Sequence, residues 1–361
     1  MLVSSRRVGA VRCYQSSGVT FIDLRSDTLT MPSREMRRAM ADAELGDDVF
    51  AEDPTVNRLQ EMAAERLGKE AGLFVSSGTL GNLIGILVSA RSGEEIIADA
   101  DSHIFLSEAG GAATLGGIQI MPVHTRAGIM TPEQVMAAIR TDDQHNPRTA
   151  ALTLEDTHNR HGGAAWSLDA LQAACDAAHR SGLLVHLDGA RLFNAAIATR
   201  VDAKELAACA DTVTFCVSKG LGAPAGSVLL GTADQIARAR RWRKMLGGGM
   251  RQIGMLAAAG IYALDNMVER LAEDHANART LAEGLAEING VTIDLSRVQT
   301  NIVIFELDNR PVPAFLEDCV RRGLRGGQIG PNRVRFVTRY GIDSEDVQEA
   351  LKLVSEVLGG A

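Results

Sequence analysis

Apolar residues along the chain fall into short runs that have the length of buried β-strands. The runs cover residues 72–75, 95–98, 118–123, 150–154, 183–187, 213–217 and 227–230. Segments with the apolar spacing of an amphipathic helix separate most of them, notably residues 132–140 and 167–181. Strands that alternate with helices predict an α/β domain built on a mostly parallel, seven-stranded sheet.

The C-terminal part of the chain has a different pattern. A basic helical segment at 233–244 and the glycines at 247–249 lead into a long helical region. Apolar runs at 298–307 and 334–337 then mix with helical segments at 312–322 and 344–358. This mixture predicts a smaller α+β domain. We therefore expect a large domain over residues 21–250 and a small C-terminal domain over residues 251–361.

Residues 1–20 are set apart by composition. They contain Arg6, Arg7 and Arg12, four serines and no acidic residue. This composition is typical of a mitochondrial transit peptide, and a flexible start of the chain is the alternative. We exclude the segment from the predicted fold. We expect a cytoplasmic protein, or a mitochondrial one if these residues are a leader.

Composition and charge narrow the class of protein. The chain has 361 residues, 46% of them hydrophobic, and a formal net charge of −8. An acidic balance without a basic, aromatic-rich face disfavours nucleic acid as a partner. The longest apolar runs stop short of the ~18 residues of a membrane span. The five cysteines lack CxxC spacing, which predicts reduced thiols and no metal framework.

Two of the apolar runs end in charged residues. The run 213–217 leads into Ser218, Lys219 and Gly220, and the run 183–187 leads into Asp188. Lysine is rarely buried without a partner, so a lysine at the end of a buried strand is a candidate for chemistry. The two charges lie about 30 residues apart, which is the length of one strand–helix–strand unit.

A lysine and an aspartate on neighbouring strand ends suit pyridoxal phosphate. This cofactor needs a lysine for its Schiff base and an acid that keeps its pyridine nitrogen protonated. The sequence therefore makes Lys219 and Asp188 candidates for these two roles. A structural salt bridge between them is the alternative.

Polar residues also follow other strands, at the edge where open α/β sheets bind ligands. Ser77, Gly78 and Thr79 begin a predicted helix, whose free amides favour a phosphate, although helix capping alone would explain them. His103 follows the second strand and could stack on an aromatic ring or take up a proton. A loop histidine satisfied by hydrogen bonds is the alternative.

Two further groups of residues are weaker signals. His158 and His161 suggest a metal pair, but no third ligand is near them, so we expect no metal. The basic residues 240–244 are expected on a solvated helix face. Arg251 directly follows a triple glycine and Met250, and is better placed to reach a phosphate.

Several longer strings make the chain similar to a known family. They are residues 23–28 (DLRSDT), 46–49 (GDDV), 53–57 (DPTVN), 108–112 (EAGGA), 186–191 (HLDGAR), 218–222 (SKGLG) and 241–252 (RWRKMLGGGMRQ). Through these strings the sequence closely resembles the low-specificity L-threonine aldolases, pyridoxal-phosphate enzymes of the aspartate-aminotransferase fold (fold type I). The resemblance extends from about residue 21 to the C-terminus.

The resemblance implies roles at the cofactor. Lys219 would bind the cofactor covalently, and Asp188 would pair with its pyridine nitrogen. Arg191 would contact the side of the ring hydroxyl and the substrate. His103 would stack on the ring, with His158 nearby.

The resemblance also implies how phosphate and substrate are held. Gly78 and Thr79 would bind the phosphate, helped by Arg251 from the neighbouring subunit of a homodimer or a dimer-of-dimers tetramer. Ser26 and Arg335 would bind the substrate carboxylate, a task that suits the bidentate fork of arginine.

The implied reaction is the retro-aldol cleavage of a β-hydroxy-α-amino acid, such as L-threonine or L-allo-threonine, to glycine and an aldehyde. The base that takes the β-hydroxyl proton would be His103, His158 or a water held by them. The alternatives are a β-eliminating lyase or an aminotransferase of the same fold, or a catalytically silent cofactor-binding protein.

Phe50 stands where many relatives have a tyrosine, and Ser107 where an aromatic residue is usual. Both differences concern the pocket for the β-substituent.

Overall fold

A computed structural model describes residues 21–359 of the chain. The predicted leader, residues 1–20, lies outside the described residues. The strands are β1 (Ile22–Asp23), β2 (Ala71–Val75), β3 (Glu95–Asp99), β4 (Gln119–Val123), β5 (Thr149–Glu155), β6 (Leu184–Asp188), β7 (Thr212–Cys216), β8 (Ser227–Gly231), β9 (Val291–Thr292), β10 (Ile302–Leu307), β11 (Leu324–Arg325), β12 (Gly327–Gln328) and β13 (Arg333–Val337).

Helices lie between most of these strands, as the apolar pattern predicts. They are α1 (Arg34–Ala41), α2 (Pro54–Leu67), α3 (Gly78–Ser89), α4 (His103–Leu106), α5 (Gly111–Gly116), α6 (Pro132–Ala138), α7 (Leu168–Arg180), α8 (Leu192–Thr199), α9 (Ala203–Ala208), α10 (Ala233–Met245), α11 (Gly254–Asn266), α12 (Leu271–Ala286), α13 (Val312–Arg321) and α14 (Ser344–Gly359). None of the helices in residues 21–359 combines the length and the apolar composition of a membrane span.

The seven predicted strands form one sheet in the order β2-β8-β7-β6-β5-β3-β4. The strands from β7 to β4 in this order are parallel, and β8 is antiparallel to both of its neighbours. Separate apolar clusters cover the two faces of the sheet, and for this reason the strands read as unbroken apolar runs. The prediction of an α/β fold with a mostly parallel sheet is confirmed.

Five of the seven strand ends differ from the prediction by one residue, and the ends of β6 and β7 are the two that concern Asp188 and Lys219. β6 ends at Asp188, which pairs in register with Thr214 of β7. β7 ends at Cys216, so Lys219 follows it in the connection to β8. Backbone hydrogen-bond pairing determines where a strand ends. The apolar pattern does not predict that position to within one residue.

The C-terminal part contains a four-stranded antiparallel sheet in the order β12-β13-β10-β9. Helices α12, α13 and α14 enclose its core, in which Phe305, Phe315 and Phe336 are buried. Strand β1 pairs in parallel with β11, and Leu24 joins the same core. The first described residues of the chain therefore pack with the last.

Helix α11 lies on the C-terminal side of the predicted domain boundary at residue 250. Helix α11 packs against α1 and α2, and its residues Ala257 and Ala263 belong to the core of the large sheet. The core of the small sheet includes Ala278 of α12. Packing therefore places α11 with the large sheet, and the position of the domain boundary stays a prediction.

Candidate active site

Acidic residues end three neighbouring parallel strands of the large sheet. Asp99, Glu155 and Asp188 are the last residues of β3, β5 and β6, respectively. Carboxyl ends of parallel strands meet at one edge, which is where open α/β sheets bind ligands. The candidate site lies at this edge.

Asp188 is buried and is held by two hydrogen bonds. Nδ2 of Asn82 donates to its Oδ2 at 2.8 Å, and the backbone N–H of Ala190 donates to its Oδ1 at 3.1 Å. The same Nδ2 also donates to Oε1 of Glu108 at 2.9 Å. These contacts set the orientation of a carboxylate that would otherwise be costly to bury.

His103 lies near Asp188 and is bound to Glu108. Its Nδ1 is 2.8 Å from Oε1 of Glu108, and its backbone N–H donates to Oε2 of Glu155 at 2.6 Å. Polar atoms of His103, Glu108 and Asp188 all lie within 4.8 Å of one another. The hydrogen bond that the imidazole donates to Glu108 raises the pKa of His103 above its ordinary value, which makes the imidazole a stronger base.

Lys219 lies in a tight turn directly after β7. This strand is the neighbour of β6, which ends in Asp188. Its carbonyl accepts a hydrogen bond from the N–H of Gly222, whose φ of +80° is easily adopted only by glycine. The side chain is half buried, and its Nζ forms no hydrogen bond or ion pair with residues 21–359. Lys219 therefore follows the strand next to the one that ends in Asp188, and its charge contributes to the lowered pKa of Asp27.

The N-terminus of α3 offers an anion site next to these groups. Ser77 caps the helix by accepting from the N–H of Leu80 at 3.2 Å, and Ser77 and Thr79 are exposed. A Cβ at Gly78 would lie 2.8 Å from Sγ of Cys216, so glycine allows the helix to begin against the end of β7. First-turn amides and the helix dipole favour a phosphate there.

Arg191 forms a buried, bidentate ion pair with Asp27, which the sequence analysis did not foresee. Its Nε and Nη2 each lie 2.7 Å from a carboxylate oxygen of Asp27. Burial alone would raise the pKa of Asp27, but Arg191 and the charge of Lys219 outweigh it and lower the pKa to about 2. The Lys219 turn and the Arg191 pair therefore lie close enough to interact.

The predicted carboxylate-binding residues meet at Asn159. Its Oδ1 accepts hydrogen bonds from Nη1 of Arg335 at 3.0 Å and from Nη1 of Arg191 at 3.4 Å. Nη2 of Arg335 also donates to the carbonyl of Arg25, the residue before Ser26, at 3.2 Å. Ser26, Arg191 and Arg335 are thus brought together from distant parts of the chain.

His158 occupies a different position from His103. It is fully buried, and its Nε2 lies 3.2 Å from Oδ1 of Asp99. Burial lowers its pKa, but the carboxylates of Glu155 and Asp99 outweigh that effect and raise the pKa above its usual value. Glu155 links the two histidines, since it also accepts from the backbone of His103.

Arg251 lies apart from the predicted phosphate site of its own chain. It is 58% exposed, and its Nη1 lies 3.1 Å from Oδ2 of Asp47. It forms no hydrogen bond with residues 77–79 of the described chain. Phe50 in the same region is 70% exposed, and Ser107 is exposed at the end of α4.

One expectation about the basic helix α10 is wrong. Arg243 is not on a solvated face: it is buried, donates to the carbonyl of Phe74 at 2.7 Å and pairs with Asp48 at 2.7 Å. Composition alone cannot distinguish this arginine from its exposed neighbours.

Several site residues were missed by sequence reasoning although signals were present. Asn82 is a polar residue within the apolar face of α3, and Glu108 and Asp27 lie within the strings 108–112 and 23–28. Asn159 follows His158 directly. Their partners become identifiable only when the strands are placed side by side.

The fold and the family match together define a pyridoxal-phosphate enzyme of fold type I. The family model described as beta-eliminating lyase matches residues 23–309, and the chain belongs to this family.

Relatives and solved structures agree with this assignment. The chain is 46% identical to the low specificity L-threonine aldolase of Escherichia coli (strain K12) over 91% of its length and 96% of the relative's. It is 40% identical to low-specificity L-threonine aldolase 1 of Arabidopsis thaliana, over 93% and 96%. The fold is similar to the threonine aldolase of Leishmania major, with a TM-score of 0.82, 19% identity and coverage of 93% and 99%.

Proposed function

We propose that this chain is a pyridoxal-phosphate-dependent aldolase that cleaves L-threonine, L-allo-threonine and related β-hydroxy-α-amino acids to glycine and an aldehyde. The observation that carries the proposal is the 46% identity to an aldolase of this kind over nearly the whole of both chains. The constellation of Lys219, Asp188 and His103 at one sheet edge supports it.

The residues present fit the cofactor. Lys219 would hold it covalently, buried Asp188 would pair with the pyridine nitrogen, and the first turn of α3 at residues 77–79 would bind the phosphate. The side chain of His103, held by Glu108, would lie over the ring. When bound, the cofactor supplies an electron-withdrawing ring that accepts the electrons of the breaking Cα–Cβ bond.

The chain's own residues would position the substrate and move its proton. Arg335 is already oriented by Asn159 and by the carbonyl of Arg25, and with Ser26 it would bind the α-carboxylate. His103, His158 or a water that they hold would accept the β-hydroxyl proton. The raised pKa of both imidazoles favours this role.

Product analysis tests the proposed reaction. We expect the purified protein to convert threonine, allo-threonine and phenylserine to glycine and the corresponding aldehyde in equal amounts. A β-eliminating lyase, which the family's description also covers, would release a keto acid and ammonia instead, and an aminotransferase would need a keto-acid acceptor. Formation of a keto acid without glycine would overturn the aldolase assignment.

We also propose that the enzyme is a homodimer or a dimer-of-dimers tetramer, in which Arg251 completes the phosphate site of the neighbouring subunit. A depression is lined by Val49, Met245 and Gly249 together with four basic residues of α10, Arg240, Arg241, Arg243 and Lys244. Met245 and Phe50 are 72% and 70% exposed. Exposed apolar side chains of this size favour burial by a partner. Two-fold pairing would make both sites equivalent.

Subunit mixing tests the shared site. Lys219→Ala and Arg251→Ala subunits, each nearly inactive alone, are dissociated mildly, mixed and reassembled. A mixed dimer would contain one site with both defects and one intact site. Because random reassembly makes half of the dimers mixed, we expect about a quarter of wild-type activity to return.

The matched control for subunit mixing pairs Lys219→Ala with Asp188→Asn. Both changes then affect the subunit's own site, so every site in a mixed dimer keeps one defect and activity stays low. If mixed dimers of Lys219→Ala and Arg251→Ala form but remain inactive, Arg251 serves its own subunit.

A reducing compartment suits the described cysteines, and we propose a cytoplasmic location on this ground. Cys175, Cys209, Cys216 and Cys319 are buried and unpaired with one another. Burial raises the pKa of Cys175 and Cys319 well above the ordinary value, so these thiols are unreactive.

A further inference from the structure

Two histidines and two aspartates lie together beside the candidate active site. Asp99 ends β3, and His158 and His161 follow β5, its parallel neighbour. One possible ligand atom from each of Asp99, His158 and His161 lies within 4.8 Å of the others. The expectation of no third ligand near the histidine pair is therefore wrong, because the sheet supplies a residue 59 positions from His158.

Two of the distances between side-chain atoms in this cluster are close to those between ligands of one metal ion. Nε2 of His158 lies 3.2 Å from Oδ1 of Asp99, and Nε2 of His161 lies 3.3 Å from Oδ2 of Asp101. Two ligand atoms that are each about 2.0–2.2 Å from a tetrahedral Zn²⁺ lie roughly 3.3–3.6 Å apart. The half-exposed carboxylate of Asp101 lies beside His161 and is the candidate for a fourth ligand.

Both imidazoles in this cluster have a buried nitrogen without a hydrogen-bond partner. His158 is fully buried, and its Nδ1 has no partner among residues 21–359. Nε2 of His161 is also buried, and its approach to Asp101 does not have the geometry of a hydrogen bond. Since buried polar atoms are nearly always satisfied in folded proteins, the unpartnered Nε2 of His161 indicates a missing component of the cluster. Nδ1 of His158 does not add to this argument, because Nε2 of the same ring is the nitrogen that faces Asp99.

The carboxylate of Asp99 is oriented as metal ligands usually are. Oγ1 of Thr125 donates to its Oδ2 at 2.5 Å, and the backbone N–H of Asp101 donates to its Oδ1 at 2.7 Å. Such outer contacts fix the direction of first-shell ligands. Two carboxylates and two neutral imidazoles would also balance the charge of a divalent cation.

We propose that Asp99, His158 and His161, with Asp101 as a fourth ligand, bind a divalent transition metal such as Zn²⁺. Imidazole nitrogens favour Zn²⁺, Co²⁺ and Ni²⁺, whereas Mg²⁺ and Ca²⁺ prefer oxygen ligands. The site is separate from the Lys219 and Asp188 pair, although His158 is a candidate base of the proposed reaction. Metal binding itself does not depend on that reaction.

Calorimetric titration of the chelator-treated holoenzyme with Zn²⁺ tests the site. We expect one tight equivalent per subunit for the wild type, and an affinity at least about 10-fold weaker for His161→Asn. Co²⁺ should give visible bands of tetrahedral intensity in the wild type and lose them in His161→Asn. Mg²⁺ should give no comparable signal.

His179→Asn is the matched control. His179 also pairs with an aspartate, Asp211, at 3.0 Å, but no second imidazole lies beside it, so its loss should leave the tight equivalent intact. Because His161 has no place in the proposed catalytic machinery, His161→Asn should keep metal-free turnover, which also shows that it folds. Equal Zn²⁺ affinity in the wild type and His161→Asn, or no binding by the wild type, would overturn the proposal. No substrate enters the titration, so its outcome is independent of the aldolase assignment.

Discussion

Lys219→Ala should lower kcat for threonine cleavage by about 10³-fold or more, the largest effect of any single substitution that we expect. Among the described lysines, Lys219 is the one that follows a strand adjacent to Asp188, and its charge contributes to the lowered pKa of Asp27. Covalent attachment through an amine cannot be replaced by a methyl group. Wild-type protein should be yellow, and borohydride should fix the cofactor on the peptide that contains Lys219.

Lys69→Ala is the control for this substitution. Lys69 is also partly buried, burial lowers its pKa, and its Nζ donates to the carbonyl of Ala210 at 2.5 Å. It lies at the other end of β2 from residues 77–79, so its removal should leave kcat near the wild-type value. If the borohydride label maps to Lys69 or Lys244, or if Lys219→Ala retains turnover, the assignment of the reactive amine is incorrect.

Asp188→Asn should retain the cofactor while kcat falls by about 10²-fold or more. The buried carboxylate would keep the pyridine nitrogen protonated, and an amide cannot carry the negative charge that stabilises that proton. The side chains are nearly equal in size, so the contact with the N–H of Ala190 can persist. Absorbance of the bound cofactor and steady-state kinetics measure the two effects separately.

The substitution Asp211→Asn provides the control. Asp211 lies just before the start of β7, at the edge of the sheet opposite to Asp188. Asp211 precedes β7 and accepts from the N–H of Val185 at 2.7 Å. Asp211→Asn should affect stability more than kcat. Unchanged kcat in Asp188→Asn with full cofactor occupancy would remove Asp188 from the proposed role.

The apolar pattern alone was sufficient for the architecture of the large sheet. All seven predicted strands lie in one sheet, because strands buried on both faces leave unbroken apolar runs that a sequence displays directly. The same pattern did not resolve whether α11 packs with the large or the small core. An apolar helix face does not specify its partner.

The sequence predicted those residues of the candidate site that lie at or just after the ends of strands. Asp188, Lys219 and His103 each come directly after an apolar run or close to it, so the rule for parallel sheets places them at one edge. Their supporting partners, Asn82, Glu108 and Asp27, were not predicted. Their importance lies in single hydrogen bonds of 2.7–2.9 Å across the fold.

The sequence by itself determined the order of strands and helices, the strand ends to within about one residue and, through its longer strings, the family. Tertiary structure alone decided which polar groups meet: Arg191 with Asp27, Arg243 with Asp48, and His158 and His161 with Asp99. The physical reason is that the local spacing of apolar residues along the chain indicates which residues are buried. The pairing of buried charges instead depends on distances between segments far apart in the chain, and those distances exist only in the folded protein.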